Sequence, residues 1–277
     1  MPSDNPALIL LRGGGDLATG VALRLHRAGI QVVIAELAQP LAVRRAVSFA
    51  EAVYEGVHTV EGITARRVGP NQLSAALAAR EIPVLVDPAA QILLTSLFFL
   101  AVIDARLLKT SPTPLLAGVP LHIGLGPGFQ AGLNCQAVIE TRRSHTLGRV
   151  YWDGSSQPDS GQPEGDPRRV LRAAREGMLA ARAAIGEHIE EGQVVAVIRE
   201  KGKGKREQFP VVSQLRGVLR GLIRDGIHVN EGLKIGDVDP RDDASACFLV
   251  SDKALAIGGG VLEALLTRED IRRKLWD

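Results

Sequence analysis

The amino-acid sequence predicts an α/β protein in which a domain with a parallel sheet is followed by a smaller, β-rich domain. Short apolar runs alternate with helix-like stretches until about Gly148, as in successive β-α-β units. A stretch rich in proline, glycine, serine and aspartate then runs from 153 to 167, and beyond it two short segments repeat each other. These observations predict a first domain over 1–148, a second over 149–245, and a last strand and helix, 246–277, that pack back on the first domain.

Composition and charge indicate an ordinary globular protein. The chain has 277 residues, of which 45% are hydrophobic and 23% charged, and its formal net charge of +2 does not favour nucleic-acid binding. The longest apolar region, 88–103, is too short and too interrupted for a membrane span. The N-terminus lacks the basic region of a signal peptide, and Cys135 and Cys247 do not make a disulfide framework. We therefore expect a cytoplasmic protein that binds neither nucleic acid nor membranes.

A glycine-rich turn near the N-terminus has the most informative local pattern. Residues 7–11 predict a buried strand, and Gly13, Gly15 and Ala18 match G-x-G-x-x-[GA], in which the tight turn lets the backbone approach a pyrophosphate. Apolar residues at helical spacing follow, and a helix N-terminus attracts anions. A second predicted strand ends at Glu36, where the acid that binds a ribose is expected. The pattern predicts a Rossmann-like nucleotide-binding domain whose ligand is held by Gly13, Gly14, Gly15, Asp16 and Glu36.

Two alternatives remain at this turn. The glycines could serve close packing only, because the carboxylate of Asp16 would repel a phosphate unless it caps the helix or binds a metal. Arg44 and Arg45 follow the second strand and could favour a 2′-phosphate, or they could be solvated or pair with acids downstream.

Other polar residues follow later predicted strands, and the carboxyl ends of parallel strands share one edge of a sheet. Asp87 and Asp104 each end an apolar run, and Gly126 and Gly128 follow another. We therefore expect these four residues at the same cleft as the glycine turn. Alternatively, Asp87 is an extended residue before a proline, and Asp104 pairs with Lys109 or caps a helix.

The second half of the chain contains an internal repeat. GEHIEEG at 186–192 and GIHVNEG at 226–232 share the pattern G-x-H-[IV]-x-E-G and lie beside β-rich runs. The arrangement resembles the barrel-sandwich hybrid of biotinyl and lipoyl domains, whose carrier lysine lies in a hairpin between two such halves. The intervening segment here has lysines at 201, 203 and 205 without that motif, so a loose hairpin is favoured. His188 and His228 occupy equivalent turns, and no metal site is expected there.

Six longer motifs together resemble one protein family. They are RGGGDLATGVALRLHRAG, ELAQPLAVRRAVSFAEAVYEG, GLGPGFQAGLNCQAVIETRRSHTLGRV, GVLRGLIRDG, GLKIGDVDPR and SDKALAIGGGVLEALL, and they span nearly the whole chain. They resemble the YqeB family, accessory proteins of the selenium-dependent molybdenum hydroxylase system that are similar in part to XdhC-type maturation factors. The resemblance implies a role in making or loading the molybdenum cofactor of a hydroxylase.

Cys135 and His145 are the candidate catalytic residues. Cys135 follows the second glycine loop, where N–H groups or arginines would lower its pKa and let it carry sulfur or selenium or bind molybdenum. The alternative is a buried, inert cysteine. His145 could form an acid–base pair with Glu140 or make an ordinary hydrogen bond between domains.

Three functions compete on this basis. The resemblance favours a maturation protein that binds a nucleotide or nucleotide-bearing molybdenum cofactor in the Rossmann cleft and hands it to a molybdenum hydroxylase. The second function is an NAD(P)-dependent oxidoreductase, for which we find no catalytic set at a convincing spacing. The third is a non-enzymatic scaffold that docks the hydroxylase through the β-rich domain. The expected ligand is of the dinucleotide type, a molybdenum pterin dinucleotide or NAD(P). The chain could also form a homodimer.

Overall fold

The computed structural model describes residues 7–114, 118–163, 165–199 and 207–275. The chain divides into two compact units. The first contains Met1–Pro40, Ser48–Asp159 and Val250–Asp277, and the second contains Leu41–Val47 and Ser160–Leu249. The three lysines of the segment between the repeats lie outside the described residues.

The first unit is built around one large sheet. In chain order the strands of this unit are β1 (Leu8–Arg12), β2 (Gln31–Glu36), β3 (Val57–Val60), β4 (Ile63–Arg67), β5 (Ile82–Val86), β6 (Ala101–Asp104), β7 (Leu121–Leu125), β8 (Gln130–Ala131), β9 (Ala137–Ile139), β10 (Val150–Tyr151) and β11 (Gly154–Ser155). Nine of them form the sheet in the order β10-β9-β7-β6-β1-β2-β5-β4-β3, and β8 pairs with β11 separately. The strands from β9 to β4 run parallel, whereas β10 and β3 pair antiparallel at the two edges.

The α-helices are α1 (Asp16–Arg27), α2 (Ala52–Glu55), α3 (Leu73–Ala78), α4 (Gln91–Ser96), α5 (Asp252–Thr267) and α6 (Glu269–Arg272). One face of the sheet forms a core with α3 and α4, through buried residues that include Leu10, Val33, Leu85 and Leu93. The parallel pairing of β1 with β2 and with β6 places the carboxyl ends of these three strands, and the polar residues there, at the same end of the sheet.

Helix α5 packs against α1 through small residues. A Cβ atom on Gly20 would lie 2.6 Å from the Cβ of Ala254, and one on Gly258 would lie 2.8 Å from the Gly20 carbonyl oxygen, so larger side chains would separate the helices. The Ser251 hydroxyl caps α5 by accepting a hydrogen bond from the Ala254 N–H, as its sequence predicts.

By length and composition alone, the stretch Ser245–Thr267 could cross a membrane. The core helix of a soluble protein passes the same test, and residues of α5 such as Ile257 and Val261 are buried within the first unit. The packing of α5 is therefore that of a core helix, and the cytoplasmic location stays a prediction.

The second unit consists of two antiparallel sheets. Its strands are β12 (Val170–Arg172), β13 (Gly177–Ala181), β14 (His188–Ile189), β15 (Val194–Arg199), β16 (Gln208–Val212), β17 (Gly217–Leu222), β18 (His228–Val229) and β19 (Lys234–Asp239). The orders are β12-β19-β17-β14 and β16-β15-β13-β18, so the two repeats contribute equivalent edge strands, β14 and β18, to different sheets. An apolar core that includes Leu179, Ile198, Leu219 and Val238 lies within the unit.

The predicted fold class is wrong in its particulars. The expected Rossmann-like parallel sheet is a mixed sheet, and the expected barrel-sandwich hybrid is, in the described residues, two separate four-stranded sheets. Strand β3 was not predicted from the sequence, and it joins β4 through a two-residue turn. Glu61 and Gly62 in that turn have φ of 46° and 81°, as a tight hairpin between antiparallel strands requires. The structure therefore corrects the fold class to a mixed α/β sheet with a separate β unit.

Candidate functional site

The glycine turn, Gly13–Gly15, is closed by a carboxylate of the protein itself. The Gly13 N–H donates to the carbonyl oxygen of Ala35 at 2.8 Å. The Gly14 N–H donates to Glu36 Oε2 at 2.6 Å, and the other oxygen of Glu36 accepts from the Leu37 N–H, also at 2.6 Å. Glu36 therefore binds the turn that it was expected to face across a nucleotide.

The electrostatics of the turn oppose a second anion at Gly14. Glu36 is only 8% exposed, and burial raises its pKa, while the hydrogen bonds from Leu37 and Gly14 act in the opposite direction. A phosphate at the Gly14 N–H would have to displace this carboxylate or lie against it. Gly15 is the N-cap residue of α1, and Asp16 is its first residue. A Cβ atom on Gly15 would meet nothing within 4 Å, so there is space beside this residue. The N–H of its neighbour Gly14, however, is already hydrogen-bonded to Glu36.

The other acids at this edge of the sheet are also held by protein groups. The Asp87 carboxylate accepts from the N–H groups of Gln91 and Leu93, both at 3.0 Å, and so caps α4. Asp104 is fully buried and forms ion pairs with Arg12 at 3.1 Å and Arg106 at 2.6 Å.

Lys109, an expected partner of Asp104, pairs with Asp159 at 2.7 Å instead. Arg44 donates to the carbonyl oxygen of Leu249 at 2.9 Å, and Arg45 donates to that of Leu222 at 3.1 Å. These contacts lie within the second unit, so both arginines help to hold that unit together.

The second glycine loop is likewise shaped by packing. Gly126 has a φ of 88°, which favours glycine. A Cβ atom on Gly128 would lie 2.5 Å from the Leu108 carbonyl oxygen, so this glycine permits a close approach of two backbone segments.

Cys135 and His145 are not partners in the structure. Cys135 is 8% exposed, and burial is the main cause that raises its pKa to about 11, so the thiol is protonated at neutral pH. His145 is exposed on the segment after β9. The buried Glu140 carboxylate accepts from the backbone N–H groups of Arg142 at 2.7 Å and Gln157 at 2.8 Å. The catalytic roles of Cys135 and His145 stay predictions, and the raised pKa favours the inert alternative for the cysteine.

Cys135 nevertheless lines a cavity of about 250 Å³, which we call the His122 cavity. The lining residues are Pro114, Val119, His122, Gly132, Leu133, Asn134, Cys135 and Gln136. They come from β7 and from the loop that joins β8 to β9, together with the segment that precedes β7. Apolar and polar groups share the wall, as is common in sites for small molecules.

His122, one of the lining residues, has a buried ring nitrogen that lacks a partner among the described residues. The side chain is on β7, the residue is 5% exposed, and among the described residues Nε2 makes no hydrogen bond. The ring packs edge-to-face against Phe129, with centroids 6.0 Å apart. Burial lowers the pKa of His122, and Asp104 acts in the opposite direction, so we expect a neutral imidazole at pH 7.

His122 was not among the site residues predicted from the sequence. The available signal was weak, because a histidine inside the apolar run VPLHIGL also fits a hydrogen-bonded core residue. No group of three or more potential metal ligands occurs among the residues that the structure describes.

One curated protein supports the resemblance that the motifs indicate. The chain is 45% identical over 264 residues to "Uncharacterized protein YqeB" of Escherichia coli (strain K12), which covers 94% of this chain and 47% of that protein. The chain thus spans about half the length of the curated relative that it matches. The identity supports the YqeB family, but it does not support the association with a molybdenum hydroxylase. No known protein-family profile matches the chain.

Solved structures with broad coverage are distant. An aspartoacylase family protein from Mesorhizobium loti has 14% identity and a TM-score of 0.31, with 85% of each chain covered. A succinylglutamate desuccinylase/aspartoacylase from Rhodobacter sphaeroides has 13% identity and a TM-score of 0.29, with 84% of this chain and 85% of that chain covered. These scores are too low to give this chain the fold or activity of either protein.

The functional expectation is wrong at the site on which it depended. The glycine turn that was expected to hold the nucleotide holds the Glu36 carboxylate. The maturation, oxidoreductase and hydroxylase-scaffold functions are therefore not retained. The dinucleotide-type ligand, the client hydroxylase and the homodimer are untested and stay predictions.

Proposed function

We propose that this chain binds a small molecule in the His122 cavity. The observation that carries the proposal is the cavity itself, which has a volume of about 250 Å³ and is lined by both apolar and polar residues. His122 belongs to this lining, and its buried Nε2 makes no hydrogen bond among the described residues. Buried polar groups in folded proteins nearly always have a partner, so an unpaired one in a residue that lines a cavity favours a binding site.

The walls of the cavity support the same interpretation. Pro114, Val119 and Leu133 offer apolar surface, and Leu133 is 61% exposed. The Cys135 thiol and the Gln136 amide add hydrogen-bonding groups to the wall. A volume of about 250 Å³ lies slightly below the usual range of about 300–1,000 Å³ for ligand pockets, so it favours a small ligand.

The polar framework of the cavity is held in place by the backbone. The His122 N–H donates to Gln136 Oε1 at 2.7 Å, and the Gln136 N–H donates to the His122 carbonyl oxygen at 2.9 Å. The Asn134 side chain accepts from the Gln130 N–H at 2.9 Å and donates to the Ser111 hydroxyl at 3.0 Å. These bonds fix the wall around His122 before a ligand arrives, which reduces the entropy lost on binding.

A fragment screen tests the proposal. We would screen a set of neutral, anionic and cationic fragments by ligand-observed NMR against the purified chain and against the variant His122→Leu. We expect fragments that bind the wild type at millimolar concentration and bind His122→Leu at least about tenfold more weakly.

The matched control is His228→Leu, which removes an exposed histidine of the second unit. This variant should bind the same fragments as the wild type. Fragments that bind His122→Leu as tightly as the wild type, or the absence of any binding fragment, would contradict the proposal.

A further inference from the structure

Gln136 directly precedes β9, and its side chain acts as a further hydrogen-bond partner for β7. The Gln136 N–H donates to the His122 carbonyl oxygen at 2.9 Å, and Gln136 Oε1 accepts from the His122 N–H at 2.7 Å. The pairing of the two strands starts one residue later, where Ile123 lies beside Ala137. Gln136 therefore extends this pairing with one backbone bond and one side-chain bond, and its carboxamide is held against β7.

The bond to the His122 N–H determines which end of the carboxamide stays free. A backbone N–H only donates, so the end of the Gln136 amide that faces it is the oxygen, and the NH₂ group lies at the other end. Gln136 Nε2 makes no hydrogen bond with the residues that the structure describes. The residue is exposed and lines the His122 cavity. The donor end is therefore the end of this side chain that no described protein group occupies.

The other carboxamide of the cavity wall is already used by the protein. Asn134 Oδ1 accepts from the Gln130 N–H at 2.9 Å. Asn134 Nδ2 donates to the Ser111 hydroxyl at 3.0 Å and to the Gly128 carbonyl oxygen at 3.2 Å, which uses both of its hydrogens. Asn134 is only 3% exposed, so it supports the loop. Gln136 is thus the amide of the wall that has a free donor among the described residues.

We infer that the cavity binds a small molecule through a carbonyl or carboxylate oxygen that accepts a hydrogen bond from the Gln136 NH₂ group. The rest of the ligand is apolar and lies against Pro114, Val119 and Leu133. Because Oε1 stays on the His122 N–H, the carboxamide is ordered before binding, which reduces the entropy lost. This inference rests on the proposed function, since it names the ligand chemistry of the same cavity.

Two variants remove the NH₂ group in different ways. In Gln136→Glu, one carboxylate oxygen still accepts from the His122 N–H, and the other places a negative acceptor where the donor was. In Gln136→Met, no charge is added, but the acceptor for the His122 N–H is lost as well. The absence of the NH₂ group is the change that the two variants share. Thermal unfolding of each variant is measured first, to establish that it is folded.

Three probes report the ligand chemistry. Acetophenone has a neutral carbonyl oxygen, benzoate has a carboxylate, and ethylbenzene has nearly the shape of acetophenone without a polar atom. We would titrate each at pH 7 into the wild type and both variants by ligand-observed NMR. We expect acetophenone, benzoate or both to bind the wild type at millimolar concentration and both variants at least about tenfold more weakly. Ethylbenzene should bind all three proteins equally, and the oxygen-bearing probe that binds the wild type identifies the oxygen as carbonyl or carboxylate.

The remaining outcomes contradict the inference. If neither oxygen-bearing probe binds the wild type, the ligand class is wrong. A loss in Gln136→Glu alone would indicate charge repulsion, and a loss in Gln136→Met alone would indicate that Gln136 only supports β7. If Gln136→Met does not fold, acetophenone with Gln136→Glu decides, because this probe carries no charge. Fragments whose binding depends on His122 but not on Gln136 would overturn this inference and leave the proposed function standing.

Discussion

At the glycine turn, the Glu36 carboxylate accepts hydrogen bonds from Gly14 and Leu37, whereas in the His122 cavity the buried Nε2 of His122 has no partner among the described residues. Both regions lie in the first unit, and both place polar groups in a largely buried setting. The turn has the sequence pattern of a binding site, but its Gly14 N–H is occupied. The cavity has no recognised pattern, and one of its lining residues has a buried nitrogen without a partner among the described residues.

The difference shows that a motif identifies a backbone geometry, whereas a site also requires unsatisfied groups. A glycine pattern reports that a chain can turn tightly at the end of a strand. Whether the N–H groups of that turn are free depends on side chains that reach it from elsewhere in the chain. At this turn Glu36 supplies one such side chain, from 22 positions along the chain.

The largest expected effect is a difference in the free energy of unfolding between a variant of the glycine turn and a variant of the His122 cavity. Glu36→Ala leaves the buried Gly14 N–H and the part-buried Leu37 N–H without their acceptor. We expect a loss in the free energy of unfolding of about 1–3 kcal/mol for each unpaired donor, measured by urea denaturation.

The comparison variant in the cavity is His122→Leu, which removes a buried nitrogen that has no partner among the described residues. We expect its free energy of unfolding to stay within about 1 kcal/mol of the wild type. The surface control is Glu81→Ala, which breaks an exposed ion pair with Arg66 and should cost no more than about 1 kcal/mol. If Glu36→Ala is no worse than either variant, the carboxylate does not close the turn.

A smaller effect distinguishes two adjacent glycines within the turn. A Cβ atom on Gly14 would lie 3.0 Å from the Ala50 nitrogen and 3.3 Å from Cγ2 of Ile34, whereas one on Gly15 would meet nothing within 4 Å. We expect Gly14→Ala to lower the free energy of unfolding by about 1–3 kcal/mol through overpacking. Gly15→Ala should change it by less than about 0.5 kcal/mol, and equal losses in thermal or urea unfolding would argue against the tight packing of Gly14.

The smallest expected effect is a pH dependence. The pKa of Glu36 is raised in the folded state, so the folded chain binds this proton more tightly than the unfolded chain does. The contribution of Glu36 to the free energy of unfolding therefore falls as the pH rises from the ordinary pKa of 4.5 through the raised value, and is constant above it. We expect Glu36→Gln to remove this decline, which amounts to about 1.4 kcal/mol per unit of pKa shift.

The control for the pH dependence is Glu81→Gln. Hydrogen bonding with Arg66 lowers the pKa of Glu81, which is the opposite direction, so this variant should keep the decline that Glu36 causes. A Glu36→Gln variant with the same pH profile as the wild type would show that Glu36 is not buried in the way described.

Local patterns in the sequence were enough to predict several elements. The apolar run at 7–11, the glycines after it and the helical spacing beyond them predict β1, the turn and α1 close to their observed positions. Such elements depend on neighbouring residues, because strand and helix periodicity and turn residues act over a few positions. The capping role of Ser251 is similarly local, since the hydroxyl reaches an N–H only three residues away.

Long-range contacts determined the features that local sequence patterns did not predict. The sequence by itself determined that Glu36 ends a strand near a glycine turn, but the parallel pairing of β1 and β2 brought its carboxylate onto Gly14. The same sequence places Cys135 after a glycine loop, yet burial raised its pKa, whereas the sequence analysis expected a lowered one. The cavity around His122 arose where β7 meets the loop between β8 and β9. Burial and hydrogen-bond satisfaction depend on which segments meet in space, and no local pattern of residues records that.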